Sequence, residues 1–132
     1  VISNYYHADL DVMPEARGVA RRLYQRSGLT PKDMQLAMIY DAFTPQVLVQ
    51  LEGFGFCKQG EAKDFVKGGN IEVGGGLPVN TNGGLIGEAY IHGMNNITEA
   101  VRQLRGTASN QVAKATNALV SCGMAGAILT NS

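Results

Sequence analysis

The chain contains no run of about 18 apolar residues, the length a membrane-spanning helix needs, anywhere in its 132 positions. Neither sign of charge is in excess: 11 lysines and arginines offset 11 aspartates and glutamates. No strong field therefore invites nucleic acid or an anionic membrane surface. There are only two cysteines, Cys57 and Cys122, which make neither a disulfide framework nor a metal-ligand cluster. The opening, VISNYYHADL, lacks the basic start and apolar core of a secretory signal. Internal repeats and low-complexity tracts are also missing. A cytoplasmic location fits these absences.

What is present is a hydrophobic share of 45%, enough for the core of one domain. The 17 glycines cluster at 68–69, 74–76 and 83–84, which suggests tight loops around a site or a close interface. The rest is organised around Val79 to Gly106. A polar turn with Gly83-Gly84 enters an amphipathic pattern, with apolar residues at Ile86, Tyr90 or Ile91, Met94, Ile97, Val101 and Leu104. That period predicts one helix with a buried apolar face, ending at Gly106 after Arg102 and Arg105. The glycine pair can bring backbone N–H groups to a carbonyl oxygen or an anion. A simple loop-to-helix junction explains it as well.

Before this stretch, Pro14 opens a helix with a stripe at Ala16, Val19, Ala20 and Leu23 and a stop at Gly28. Its arginines, Arg17, Arg21, Arg22 and Arg26, read as a solvated face. Gln35 to Tyr40 reads as a short buried strand. Thr44-Pro45 then resembles an N-cap and first-turn proline for a helix through Val47, Leu48, Leu51 and Phe54. Glu61 to Lys67 suits a short helix, and Ile71 to Val73 a brief strand. Ala113 to Thr130 reads as an antiparallel hairpin around Ser121 to Gly123. The order is that of a layered α/β domain with a mixed sheet. Residues 1 to 13 read as irregular, and His7 as an ordinary loop residue.

Two of these segments carry a resemblance. LTPKDMQLAMIYDAFT, Leu29 to Thr44, is similar to the thiolase segment whose strand ends in Asn-Glu-Ala-Phe. VNTNGGLIGEAYIHG, Val79 to Gly93, is similar to the thiolase segment Asn-x-x-Gly-Gly followed by Gly-His-Pro. The closing VSCGMAGAILT resembles the glycine-rich hairpin that ends a thiolase chain. The resemblance covers nearly all 132 residues. It implies a thiolase-like C-terminal domain of βαβαβαββ type without its first strand, a fragment of a two-domain subunit that forms a homodimer.

The departures alter the expected chemistry. Tyr40 stands where thiolases have the asparagine of the first motif, and Tyr90 where they have the histidine of the second. His92 lies two residues later, off register. Counting back from Gly126 puts Val120 at the acid–base cysteine position, with Cys122 displaced by two; a single gap restores Cys122. Two tyrosines at these positions resemble the lipid-transfer-protein branch, and within it the actinobacterial steroid side-chain aldolases. That resemblance implies retro-aldol cleavage of a β-hydroxyacyl-CoA. It also implies a partner of the DUF35 type with an OB-fold, zinc held if anywhere by that partner, and no metal or cofactor in this chain beyond the CoA thioester substrate.

The chemistry is consistent with phenols. A base removes the β-hydroxyl proton, the Cα–Cβ electrons collect as a thioester enolate, and an acid protonates that carbon. A phenol of pKa about 10 can serve at either step when its surroundings match it. Tyr40 and Tyr90 are the expected catalytic pair, with their roles unassigned. Asn82, Gly83 and Gly84 are candidates for the oxyanion site, and Asp41 for a loop-holding or proton-handling role. Without the resemblance, both tyrosines read as packing residues with one hydrogen bond each. Two other readings remain: a non-catalytic lipid- or acyl-CoA-binding protein that keeps the fold, and a thiolase with rearranged catalytic residues.

Overall fold

The computed structural model describes residues 13–89 and 91–131. The expectations for residues 1–12, including His7, and for Tyr90 lie outside the described residues. Helix α1 spans Pro14–Ser27, strand β1 Leu36–Ile39, and helix α2 Thr44–Gly53. Short helices α3, Ala62–Phe65, and α4, Gly84–Gly87, precede the longer α5, Met94–Arg105. Strands β2, Asn117–Ser121, and β3, Gly126–Thr130, close the described chain.

The sheet has the order β1-β2-β3. β1 runs parallel to β2, with Leu36 opposite Ala118 and Ile39 opposite Ser121. β2 and β3 form the antiparallel hairpin expected from the sequence. Strand side chains alternate between faces, and two cores result. Ala37, Ile39 and Leu119 pack with Ala16, Val19 and Ala20 of α1 and with Leu51 and Phe54 at α2. Leu36, Met38, Ala118 and Val120 pack with Ala100 and Leu104 of α5. All four β1 residues are buried, as a strand covered on both faces requires. This is the mixed α/β layered architecture expected from the sequence.

Helix α1 carries the predicted Pro14 start and Gly28 stop, with Ala16, Val19 and Ala20 inward. It approaches α2 closely: a Cβ on Gly53 would lie 2.6 Å from that of Ala16. Helix α2 begins one residue earlier than the sequence suggested, with Phe43 at the N-cap position and no side-chain cap. The brief strand expected at Ile71 to Val73 is a turn. Instead Val79 bridges Ala37 in parallel fashion. The first hairpin strand begins at Asn117 rather than Ala113.

The largest difference lies in the stretch after Gly83. The expected single helix is two, α4 and α5, separated by residues 88–93. Positive φ angles at His92 (54°) and Gly93 (84°) fall in this break. The phase of α5 also differs. Met94 and Ile97 are exposed, whereas Asn95, Asn96, Glu99, Ala100, Gln103 and Leu104 are buried. Apolar periodicity finds the buried face only when that face is apolar.

Here a polar network satisfies much of the buried side. The Thr81 hydroxyl donates to Glu99 Oε1 at 2.7 Å. The Gln103 amide donates to Glu99 Oε1 at 2.9 Å and to the Asn110 carbonyl at 2.8 Å. Asn110 in turn donates to the Thr81 carbonyl at 2.9 Å. The network ties the loop before α4 to the body of α5.

Candidate active site

Tyr40 follows the buried end of β1, and its backbone is held from several sides. Its N–H donates to the Ser121 carbonyl at 2.7 Å. Its carbonyl accepts from Gln50 Nε2 at 3.0 Å. Gln50, 1% exposed, also accepts from the Ser121 hydroxyl at 2.9 Å. On the open edge of β1, the Asn80 side chain acts as a strand partner. Its Oδ1 accepts from Ile39 N at 2.7 Å and its Nδ2 donates to Ile39 O at 2.8 Å. The residue before Tyr40 is thus paired on both edges, so the ring departs from a fixed backbone.

That ring packs on the turn into α5. A Cβ on Gly93 would lie 3.0 Å from Tyr40 Cδ2, and Gly93 has φ 84°. Both the space and the backbone conformation there favour glycine. Beside this contact is a cavity of about 320 Å3, lined by Tyr40, His92, Asn96, Ile97, Ser121 and Cys122 among others.

His92 therefore joins Tyr40 in one cavity, although its motif position is two residues off register. Helix α4 ends at Gly87 and α5 begins at Met94, so helical spacing does not fix where His92 lies. The two placements weighed for the hairpin, Val120 and Cys122, both contribute to the same wall. Cys122 is exposed, with its thiol 3.6 Å from the Ala125 carbonyl.

The remaining candidates sit apart from this wall. Asp41 accepts the Leu85 N–H at 3.1 Å, and a Cβ on Gly84 would run into its carboxylate. The Gly84 N–H donates to Asn82 Oδ1 at 3.1 Å, and the Gly83 N–H to the Asn80 carbonyl at 2.8 Å. Asn82 Nδ2 donates to Glu88 at 3.0 Å. In this arrangement the glycine pair and Asn82 brace their own loop, and Asp41 holds it to the end of β1. Asp41 instead borders a second depression with exposed Phe43 and Ile86.

Sequence reasoning missed Gln50, Asn80 and Asn96, and set His92 aside as off register. Gln50 had a signal: it is the polar interruption of the apolar run VLVQL. Asn80 had none, because pairing with β1 depends on a distant segment. Among the described residues no group of three or more histidine, cysteine, aspartate or glutamate side chains is placed to hold a metal. No described helix is long and apolar enough to cross a membrane.

The mixed sheet with helices on both faces places Tyr40, at the end of a buried strand, on the wall of an apolar cavity shared with the first turn of α5. The chain belongs to the thiolase C-terminal domain-like family, whose model matches residues 3–132. It is 59% identical over 120 residues to 17-hydroxy-3-oxo-4-pregnene-20-carboxyl-CoA lyase of Mycobacterium tuberculosis, covering 91% of this chain and 31% of that protein. It is 54% identical over 123 residues to a steroid side-chain-cleaving aldolase of Thermomonospora curvata, covering 93% and 32%. A solved Ltp2-ChsH2(DUF35) aldolase superposes with a TM-score of 0.90 at 54% identity, covering 96% of this chain and 34% of that one. The chain thus spans about a third of the length of these relatives.

Proposed function

We propose that the protein to which this chain contributes is a carbon–carbon lyase. It cleaves a β-hydroxyacyl-CoA, a steroid side-chain thioester, by a retro-aldol reaction to a ketone and a shortened acyl-CoA such as propionyl-CoA. The observation that carries this reading is the phenol of Tyr40 against an apolar cavity, in a family whose similar members are named for this cleavage. A phenol both donates and accepts, and an apolar wall strengthens its interactions with developing charge.

In the proposed reaction Tyr40 and Tyr90 divide two proton transfers. One takes the β-hydroxyl proton; the Cα–Cβ bond breaks and its electrons become the enolate. The other returns a proton to Cα. The reading includes a thiolase-fold homodimer, a cytoplasmic location and a DUF35-type partner with an OB-fold. Exposed Ile91, Met94, Ile97 and Met124 support burial of this face in a larger assembly. Any zinc belongs to the partner, and the chain itself uses no cofactor.

The test is incubation of the complete protein and its partner with a β-hydroxyacyl-CoA of a steroid side chain. Equimolar ketone and shortened acyl-CoA, without added CoA, is the expected outcome. One observation favours a second reading. Cys122 and His92 line one cavity, and a thiolase needs a proton-moving thiol and an imidazole. Cleavage of a 3-ketoacyl-CoA that depends on free CoA would replace the first reading with that one.

A further inference from the structure

The enolate in this reaction needs a hydrogen-bond donor at the thioester oxygen. The amides of Gly83 and Gly84 are already spent on Asn80 and Asn82. Elsewhere on the cavity wall, Asn96 is 1% exposed, and neither polar atom of its carboxamide has a partner among the described residues. A buried amide left unpaired is destabilising. Asn96 lies in the first turn of α5, its N–H bonded to the Gly93 carbonyl at 3.1 Å. Gly93 is the residue on which the Tyr40 ring packs.

We propose that the Asn96 carboxamide donates to the oxygen of the acyl thioester and stabilises the enolate formed there. This rests on the retro-aldol reading. As the Cα–Cβ electrons move into the thioester, negative charge grows on its oxygen. The Nδ2–H group meets that charge, and the positive end of α5 reinforces it. The enolate is then discharged by protonation at Cα, and Asn96 loses and gains no proton. A neutral amide suits the apolar wall because it leaves no buried charge when the site holds no substrate. Asn96 lines the cavity although it is almost fully buried. Met94, unbranched and 56% exposed, shares that wall and is flexible enough to turn aside for the thioester.

The experiment uses the complete protein with its partner and the variants Asn96→Leu and Asn96→Asp. Two activities are followed: cleavage of the β-hydroxyacyl-CoA, and exchange of the α-protons of propionyl-CoA with deuterium from solvent. Exchange reports enolate formation without carbon–carbon cleavage. Both variants should lose about 10²- to 10³-fold in kcat and in exchange, with KM nearly unchanged. The melting temperature of Asn96→Leu should not fall, because an unpaired amide is removed. Cleavage and exchange within about fivefold of wild type in the variants would overturn the proposal. So would a loss confined to KM, or one explained by a lower folded fraction. Wild-type protein that exchanges protons without cleaving, with exchange lost in Asn96→Leu, would uphold Asn96 while rejecting the aldolase reading. Wild-type protein that does neither would reject both.

Discussion

The carboxamide of Gln50 donates to the Tyr40 carbonyl at 3.0 Å, joining the middle of α2 to the residue on which the proposed chemistry depends. Its oxygen is occupied by the Ser121 hydroxyl, which also accepts the Gly123 N–H at 2.9 Å. One buried side chain therefore couples β1, α2 and the hairpin turn. Gln50→Leu keeps the volume and orphans two polar groups. Each costs about 1–3 kcal/mol when buried. Denaturant unfolding of the complete subunit should show a loss in that range or above, and turnover should fall because Tyr40 loses its tether. Unchanged stability would show that water or a rearranged neighbour replaces Gln50.

How much of this was legible in the sequence follows from where each signal resides. Helix α1 was readable because proline, an apolar stripe and a terminal glycine all act within 14 residues. The hairpin was readable for the same local reason. The break between α4 and α5 was not, because the apolar spacing through Ile86, Met94 and Ile97 continues across it. Those residues face outward, and such a stripe carries the same period as a core. Tyr40 was singled out by motif position, whereas its sharing a cavity with His92, Cys122 and Asn96 required the three-dimensional turn at Gly93.

Gly84→Ala should be poorly tolerated. Its φ is 69°, and the added methyl would meet the Asp41 carboxylate. Left-handed strain alone costs about 1 kcal/mol or more, and the carboxylate must also release Leu85. Thermal unfolding should show a clear drop, larger than that of Gly60→Ala. Gly60 has φ 82° with nothing within 4 Å of its added methyl. Equal losses in the two variants would mean that the Asp41 contact is not restrictive.

Burial pushes the Tyr24 phenol up to about 12, and its hydroxyl donates to the Phe54 carbonyl at 3.0 Å. In the unfolded chain the phenol titrates near its ordinary value of 10.0. The folded state thus holds its proton longer, and the unfolded state gains stability first as pH rises. The contribution of Tyr24 is intact below pH of about 10 and is lost between about 10 and 12. Subtracting the alkaline stability profile of Tyr24→Phe from that of wild type should reveal this decline. A flat difference would contradict the burial of the phenol.

Cys122 separates the two catalytic readings. Under the retro-aldol reading no thiol handles a proton, so Cys122→Ser should cleave the β-hydroxyacyl-CoA within about threefold of wild type. A loss of 10²-fold or more, the scale of a missing acid–base group, would favour thiolase chemistry. Steady-state assay of ketone release decides between them.

The central claim is that phenols carry the protons. It is tested most directly by the turnover of Tyr40→Phe, beside Tyr90→Phe, in the complete complex supplied with β-hydroxyacyl-CoA. Each substitution removes one oxygen and preserves the ring, so thermal unfolding should be nearly unchanged. Ketone release should fall by about 10²- to 10⁴-fold. Correctly folded variants that both release ketone at close to the wild-type rate would contradict the account.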